Sequence, residues 1–178
     1  MPRLTLIAAM LPATALAACA MQPMNADGED VLAVAPLQSA DGSSRGTATF
    51  VRMGDHVAVT VEAMGLPAGT HGFHLHTTGR CDAPDFTSAG GHLNPTNNEH
   101  GSANPQGKHF GDLPNIEVAA NGRASAEFML PGATAATLAT LFDSDGTAVM
   151  VHAGPDDYRS DPAGDAGPRI ACGVVRRS

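Results

Sequence analysis

The feature that most constrains the fold of this chain is a long irregular segment rich in histidine. Residues 71–112 contain six of the eight histidines, and residues 77–115 have the Gly, Pro, Asn, Ser and Thr content that is typical of loops. So long a loop is unusual inside a compact domain unless it is functional, and a bound metal can supply the cross-links that a hydrophobic core would otherwise provide. Because neutral imidazole is the commonest metal ligand, the segment predicts a metal site. The alternative is a histidine-rich loop without an ion.

A His-x-His pair lies near the start of this segment. His74 and His76 alternate with Phe73 and Leu75, so on a strand both imidazoles face one side and both apolar side chains face the other. Such a strand would hold the two ligands against a packed core and leave little ordering entropy to lose when metal binds. Further candidate ligands follow in the loop and at the end of a later buried strand: His92, His100, His109, Asp112 and His152.

The rest of the chain predicts short strands. Val57, Val59 and Val61 alternate with polar or small residues in the segment 56–64, so His56 is interpreted as a solvent-facing strand residue. The abundance of Gly and Pro suits many tight turns better than long helices. Strands are also predicted over residues 31–37, 46–53, 72–76, 116–119, 123–128, 147–152 and 169–175.

Two shorter stretches complete the predicted fold. Asn121-Gly122, between two predicted strands, is a strong hairpin signal. Residues 133–141 are compatible with a helical turn, a strand or a loop. Eight strands with turns at this spacing, in one domain of residues 31–178, predict an all-β fold. The architecture we expect is an eight-stranded antiparallel Greek-key sandwich or flattened barrel with a long metal-binding loop.

The charge of the chain argues against nucleic acid as a partner. The formal net charge is −8, and no run of basic residues is longer than Arg176-Arg177. Nucleic-acid-binding proteins normally present a clustered basic surface to the phosphates. We therefore expect no nucleic-acid partner.

The first residues predict export. A positive start at Arg3 precedes the apolar run of residues 4–16, and small residues lead to Cys19, as in a signal peptide. The run is too short to span a bilayer as a helix. Its end resembles the bacterial lipobox, which predicts that residues 1–18 are removed and that Cys19 is lipid-modified. The alternative is ordinary cleavage nearby, with Cys19 as a free thiol. The residues from Cys19 to Asp30 are expected to form a flexible tether.

Two cysteines remain once Cys19 is assigned to the lipid. In an oxidising compartment Cys81 and Cys172 would form a disulfide, with two buried free thiols as the alternative. Closing a loop of 172 − 81 = 91 residues would restrict the unfolded chain by roughly 4–5 kcal/mol in the entropy model. The bond would connect the metal loop to the last strand.

Six motifs occur in an order that matches a known family: HGFHLH, TSAGGHLNP, EHG, KHFGDL, VMVHAGPDD and GPRIACGVV. Over residues 31–175 the chain resembles copper,zinc superoxide dismutase, and specifically its exported bacterial branch. The resemblance implies a copper site and a zinc site that share His92. Four imidazoles suit Cu(II), and three imidazoles with one carboxylate suit a closed zinc site. The implied copper ligands are His74, His76, His92 and His152, and the implied zinc ligands are His92, His100, His109 and Asp112.

The resemblance also implies a reaction, the dismutation of superoxide to oxygen and hydrogen peroxide. In the family mechanism copper takes an electron from one superoxide and gives it to a second, while His92 releases copper(I), takes up a proton and later delivers it. Zinc has a structural role. Arg169 matches the arginine that guides the anion to copper, with an ordinary surface cation as the alternative.

Other family features are matched less completely. Asp156 matches the carboxylate that orients one ligand of each metal, here His74 and His100, although Asp157 is adjacent. His71 matches a histidine that is not a ligand and is interpreted as structural.

The loop of residues 153–168 lacks the lysine and paired glutamates that steer substrate in the animal enzymes, and Ala163 stands at the position of the family threonine. Because the net negative charge repels superoxide at long range, positive charge near copper is needed. Arg169 and the metals would supply it, and Lys108 is a further candidate.

The leading hypothesis is therefore a superoxide dismutase on the periplasmic side of the cell envelope, anchored to a membrane through lipid on Cys19. A second hypothesis is a copper- and zinc-binding carrier or storage protein of the same fold, without turnover. A third, a purely structural envelope domain, would require all seven ligands to be incidental. The complete ligand set together with Arg169 favours the enzyme. The sequence leaves open whether the protein is a monomer or a homodimer.

Overall fold

A computed structural model of the protein describes residues 30–178. The predicted signal peptide, Cys19 and all of the predicted tether except Asp30 lie outside the described residues, so these remain predictions. No helix within residues 30–178 combines the length and the apolar character needed to cross a membrane. The described chain forms ten strands and one α-helix: β1 (Val31–Gln38), β2 (Ser44–Met53), β3 (His56–Ala63), β4 (Gly69–His71), β5 (Phe73–His76), β6 (Ile116–Val118), β7 (Ala124–Met129), α1 (Thr134–Leu141), β8 (Ala148–His152), β9 (Arg169–Val174) and β10 (Arg176–Arg177).

Most strands belong to one curled antiparallel sheet. Its order is β5-β8-β9-β1-β2-β3-β7, and the short β10 pairs with the start of β1. Strands β4 and β6 form a second, two-stranded antiparallel sheet. Strand β4 leads into β5 through Gly72, and β6 leads into β7 through a tight turn, so the small sheet is joined in sequence to both edges of the large one. The predicted antiparallel all-β class is confirmed.

The turn at Asn121-Gly122 forms, but the two strands beside it do not pair as the predicted hairpin. The Gly122 N–H donates to the Ala119 carbonyl at 2.8 Å, while β6 pairs with β4 and β7 pairs with β3. Pairing with β3 places Phe128 beside Val59, which extends the apolar inner face of the sheet. Tertiary burial thus outweighs the local hairpin signal.

Two further elements differ in detail from the prediction. The stretch 133–141, which the sequence left open, is the helix α1, with Leu141 completely buried. The short strands β4 and β10 were not predicted, because runs of three and two residues have no detectable alternation.

One contiguous hydrophobic core packs against the sheet and positions the histidine pair. Val57, Val59 and Val61 of β3 are completely buried, as the alternation predicted, and so are Phe73 and Leu75 of β5. Burying each such side chain contributes about 1.5–3 kcal/mol. With Phe73 and Leu75 fixed in the core, the opposite face of β5 presents His74 and His76 to the long loop.

The predicted disulfide between Cys81 and Cys172 is present, with the two Cα atoms 5.8 Å apart. It joins the segment after β5 to β9 and packs in a small apolar cluster with Phe86, Ala89 and Met150. The first part of the long loop is therefore attached to the sheet both covalently and by packing.

Candidate metal centre

Four histidines meet at one side of the sheet. We call them the strand cluster because three of them lie on β5 and β8 and the fourth, from the loop, forms a β-bridge with His76. Each offers one ring nitrogen, and these four atoms lie within 4.8 Å of one another. All four side chains are buried. The members of the strand cluster are His74, His76, His92 and His152.

The nitrogens that converge in the strand cluster are those without another partner. His76 Nδ1 lies 2.9 Å from the Gly90 carbonyl and His152 Nδ1 lies 3.0 Å from the Gly167 carbonyl, so each Nδ1 donates its proton and each Nε2 is left with a lone pair. The buried ring nitrogens without a hydrogen-bond partner among residues 30–178 are His74 Nδ1, His76 Nε2, His92 Nε2, His100 Nδ1 and His152 Nε2. Four buried, convergent lone pairs fit a copper ion, and leaving them unpaired would otherwise be unfavourable.

A second set of ligands adjoins the first, and we call it the loop cluster because all its members lie in the long loop. Asp112 Oδ1 lies 2.8 Å from His92 Nδ1, 3.0 Å from His109 Nδ1 and 3.1 Å from His100 Nδ1. The contact with His100 has the distance but not the direction of a hydrogen bond. Three imidazoles and one carboxylate form the donor set of a closed tetrahedral zinc site. The loop cluster consists of His92, His100, His109 and Asp112.

The backbone holds the loop cluster against β5. Leu93 N–H donates to the Leu75 carbonyl at 2.8 Å, and Leu75 N–H donates to the Gly111 carbonyl at 3.0 Å. Asp112 Oδ2 accepts from the backbone N–H groups of Gly101 and His109 at 2.9 and 3.0 Å. The loop therefore returns to the edge of β5 on both sides of the cluster, which fixes its ligands without regular secondary structure.

His92 belongs to both clusters, one ring nitrogen in each. Its Nδ1 faces Asp112 and its Nε2 faces the strand cluster. The His92 ring centroid lies 4.0 Å from that of His74 and 5.1 Å from that of His100. One imidazole thus connects the two sets of ligands directly.

Asp156 connects the two clusters a second time. One carboxylate oxygen lies 2.7 Å from His74 Nε2 and the other lies 3.0 Å from His100 Nε2. In each ring this contact engages Nε2 and leaves Nδ1 directed at its cluster. The neighbouring Asp157 instead bonds Ser160 and is exposed, so Asp156 is the carboxylate that contacts both rings.

The strand cluster favours neutral imidazoles. Burial lowers the pKa of His74 to about 3 and that of His152 to about 4, and it also lowers the pKa of His76 and His92. The neighbouring rings add to this effect because each would repel a second positive charge. At neutral pH these histidines are in the form that binds a metal ion.

The loop cluster has the opposite electrostatic character. Burial alone would lower the pKa of His100, but the contacts with Asp112 and Asp156 and the negative charges of both carboxylates outweigh it and raise that pKa to about 9. Burial likewise opposes the ionised carboxylates, yet their contacts with the histidines hold the pKa of Asp112 and of Asp156 below the ordinary value. Without a metal ion the charged His100 is therefore paired with the carboxylates of Asp112 and Asp156.

Arg169 lines a cavity that reaches both clusters. Its guanidinium donates to the carbonyls of Phe86 and Gly90, each at 2.6 Å. The cavity has a volume of about 290 Å³ and is lined by His76, Gly91, His92, His109, His152, Pro162, Ala163 and Arg169. A larger cavity of about 480 Å³ includes no histidine from either cluster. The smaller one is therefore the route by which a small anion would reach the strand cluster.

Three other residues singled out in the sequence lie outside the clusters. His71 is buried between the carbonyls of His152 and Pro67, at 2.8 and 2.9 Å. His56 is exposed and is the first residue of β3. Lys108 is exposed, and its Nζ donates to the Asp112 backbone carbonyl at 3.1 Å; it does not line the cavity that contains Arg169.

Sequence reasoning missed the backbone acceptors and the polar residues that orient the ligands. Gly90 and Gly167 contribute carbonyls, and Asp161 accepts the His100 N–H at 2.7 Å. Asn115 bonds the backbone of Asp156. Only Asn115 had a possible signal, as a polar residue three positions after the candidate ligand Asp112, and the sequence alone did not pair it with any partner.

Known proteins share this fold and these motifs. The sequence model of the copper/zinc superoxide dismutase (SODC) family matches residues 44–175. The chain is 45% identical to Cu-Zn superoxide dismutase 1 of Aquifex aeolicus, over 76% of this chain and 82% of that protein. It is 40% identical to the Cu-Zn superoxide dismutase of Caulobacter vibrioides, over 81% of this chain and 85% of that one.

Solved structures agree with the sequence comparison. A superoxide dismutase-like protein from Bacillus subtilis superposes with a TM-score of 0.75 at 36% identity, over 80% of this chain and 97% of the other. The Cu/Zn superoxide dismutase of Brucella abortus superposes with a TM-score of 0.66 at 30% identity, over 80% and 98%. The fold and the two adjoining clusters define a β-sheet metalloprotein with a copper-type and a zinc-type site. The chain belongs to the copper/zinc superoxide dismutase family.

Proposed function

We propose that this protein is a superoxide dismutase that uses a copper ion in the strand cluster and a zinc ion in the loop cluster. The observation that supports this most directly is the position of His92, which presents Nε2 to one cluster and Nδ1 to the other. A metal store would need neither a ligand shared between two sites nor a cation lining the cavity. Both are present, and each would have a function in catalysis.

Copper, when bound, supplies reversible one-electron transfer, so that one superoxide is oxidised to oxygen and a second, with two protons, is reduced to hydrogen peroxide. The protein supplies position and protons. His92 Nε2 lines the cavity side of the site and can hold one of the two protons, because its Nδ1 is engaged in the loop cluster. The second proton comes from water that enters the open cavity.

Arg169 is proposed to bind the superoxide anion beside the strand cluster. Its two bonds to backbone carbonyls use one N–H of Nη1 and one of Nη2, and the remaining N–H donors are available to a ligand. No other Lys or Arg lines this cavity in the described part of the chain. Given the net charge of −8, this local cation would be the main attraction for an anion at close range.

The activity can be tested by measuring superoxide consumption by the purified protein loaded with copper and zinc. We expect fast turnover that His152→Ala reduces by at least about 10³-fold, because the substitution removes a copper ligand. Arg169→Ala should lower kcat/KM by about 10–100-fold while both metals stay bound, as expected for loss of a charged contact to a buried site. Stoichiometric copper and zinc without turnover would contradict the enzyme and favour a carrier of the same fold.

We further propose that the protein is an exported lipoprotein of the bacterial branch of the family, held on the periplasmic side of the cell envelope by lipid on Cys19. The support is the sequence of residues 1–19, with its positive start, apolar run and small residues before the cysteine. Two acyl chains or more give stable membrane attachment.

Labelling cells with a radioactive fatty acid tests the anchor. We expect the label and the protein together in the membrane fraction, and both should be lost from that fraction in Cys19→Ala. Equal membrane association of the variant and the parent would contradict the lipid anchor, and a protein recovered in the cytoplasm would contradict export.

A further inference from the structure

The Asp156 carboxylate is the most heavily constrained group between the two clusters. It is 3% exposed and contacts His74 and His100, one ring with each oxygen. A displacement of this carboxylate by a few tenths of an ångström would disturb a ligand in each cluster. The residues that fix its position therefore bear on both sites at once, although they touch neither metal ligand with their own side chains.

Asn115 holds the backbone of Asp156 with its side-chain amide. Its Nδ2 donates to the Asp156 carbonyl and its Oδ1 accepts from the Asp156 N–H, both at 2.9 Å. The pairing of an amide side chain with both polar groups of one residue allows neither rotation nor sliding. Asn115 immediately precedes β6, so it attaches Asp156 to regular secondary structure.

Tyr158 strengthens the same connection. Its N–H donates to Asp156 Oδ1 at 2.6 Å, and its hydroxyl accepts from the Asn115 N–H at 2.9 Å. The three residues form a closed ring of hydrogen bonds around the Asp156 backbone. Each bond supports the others because all of them are partly shielded from water.

Gly164 limits the position of the carboxylate from the other side. A Cβ on Gly164 would overlap Asp156 Oδ1 and lie 2.7 Å from His100 Nε2. The residue is buried and has φ +63°, so a side chain would be strained as well as obstructed. Any larger residue at this position has to displace Asp156 or His100.

We propose that Asn115 and Gly164 are positioning residues that set the geometry of both metal sites through Asp156. The inference rests on the proposed function only in assigning copper and zinc to the two clusters. Substitution of residues that orient a metal ligand without binding the metal themselves commonly changes metal affinity by about 10–100-fold. Because Asp156 contacts one ligand of each cluster, both affinities should change together.

The test measures copper and zinc affinities of the full-length protein by competition with chelators, together with the visible absorption of bound copper(II). We expect Asn115→Ala and Gly164→Ala each to weaken both metals by about 10–100-fold and to shift the copper absorption band. The matched control for the glycine is Gly54→Ala, since Gly54 has the same φ of +63° and no atom lies within 4 Å of the place that a Cβ would take. It should leave both affinities unchanged.

A double-variant cycle separates positioning from a general loss of structure. If Asn115 acts through Asp156, adding Asn115→Ala to Asp156→Asn should weaken either metal by less than about 2-fold beyond Asp156→Asn alone, because coupled residues are not additive. Additive losses would overturn the proposal, and so would a loss confined to one metal or unchanged affinities in both single variants. If Asn115→Ala fails to fold, Gly164→Ala against Gly54→Ala decides by the same criteria.

A metal-free measurement keeps this proposal distinct from the proposed function. In the metal-free parent, the Nε2 protons of His74 and His100 should give slowly exchanging NMR signals because both are bonded to Asp156. Gly164→Ala should increase their exchange by at least about 10-fold, and Gly54→Ala should not. Unchanged exchange in Gly164→Ala would overturn the positioning role even if the parent binds metals, whereas the expected change would support it even if the parent showed no dismutation.

Discussion

The two halves of the metal centre are built in opposite ways. The strand cluster takes three of its four ligands from regular strands, contains only imidazoles and is held neutral by burial. The loop cluster takes all its ligands from an irregular loop, includes a carboxylate and raises the pKa of His100 to about 9. The strands provide fixed geometry without charge, and the loop provides a carboxylate whose charge is balanced, without a metal ion, by the protonated His100. The comparison indicates that the imidazoles of the copper-type site are in the metal-binding form at neutral pH, whereas zinc would have to displace the proton of His100.

The largest expected effect comes from removing the disulfide, which belongs to the strand-cluster side of this comparison. The double substitution Cys81→Ser and Cys172→Ser should lower the free energy of unfolding by roughly 4–5 kcal/mol, from the entropy of a 91-residue loop. It also releases the segment whose Gly90 carbonyl bonds His76 and Arg169. Copper affinity and turnover should therefore fall more than zinc affinity. Denaturant unfolding and metal competition would measure both, and equal loss of the two metals would argue against separate support for the clusters.

A smaller effect is expected from removing the charge of the loop cluster. Asp112→Asn should lower the stability of the metal-free protein by about 3 kcal/mol, because the buried His100 loses its main ionic partner. Zinc binding should be lost while copper still binds. The control is Asp165→Asn at an exposed position with φ 49°, which asparagine tolerates. An unchanged melting temperature in Asp112→Asn would show that the ion pairs of the loop cluster do not stabilise the metal-free fold.

The smallest expected effect, counted for one proton over one pH unit, is the change of the unfolding free energy with pH. Its sign differs between the two clusters. In the metal-free protein His74 and His152 stay neutral down to about pH 3 and 4, whereas the unfolded chain protonates them near 6.5. The unfolded state therefore binds more protons, and stability falls as the pH drops below about 6.5. Each proton contributes about 1.4 kcal/mol per pH unit.

His100 behaves in the reverse sense. Its raised pKa contributes stability that is fully present below about pH 6.5 and is lost as the pH rises through about 9. The unfolding free energy of the metal-free protein, measured from pH 4.5 to 9.5, should thus have a maximum near neutrality. A curve that rises steadily to pH 9.5 would contradict the opposite electrostatics of the two clusters.

Residue patterns allowed the fold class to be predicted, and the family resemblance implied the composition of both clusters. The alternation of Val57, Val59 and Val61 reports the buried face of a strand directly. His74 and His76 follow the same rule, so their common direction was predictable from the alternation alone. The strands that pair with β6 and β7 were not predictable in this way. A strong local turn at Asn121-Gly122 does not reveal which distant strand offers the larger apolar contact.

The contacts that orient the ligands were largely beyond sequence reasoning. Asp156 was found through the family resemblance, but its attachment to Asn115 spans 41 residues and involves backbone groups that every residue possesses. The sequence likewise gives no sign that the backbone carbonyls of Gly90 and Gly167 accept hydrogen bonds from metal ligands. Physical rules identify which residue types bind metal, whereas the placement of backbone acceptors depends on the folded path of the loop.

The Gly90 carbonyl accepts from His76 Nδ1 at 2.9 Å and from Arg169 at 2.6 Å. A metal ligand and the proposed anion-binding side chain therefore share one point of attachment. A change in the position of this one carbonyl would therefore alter the orientation of the metal-ligand ring and of the guanidinium together.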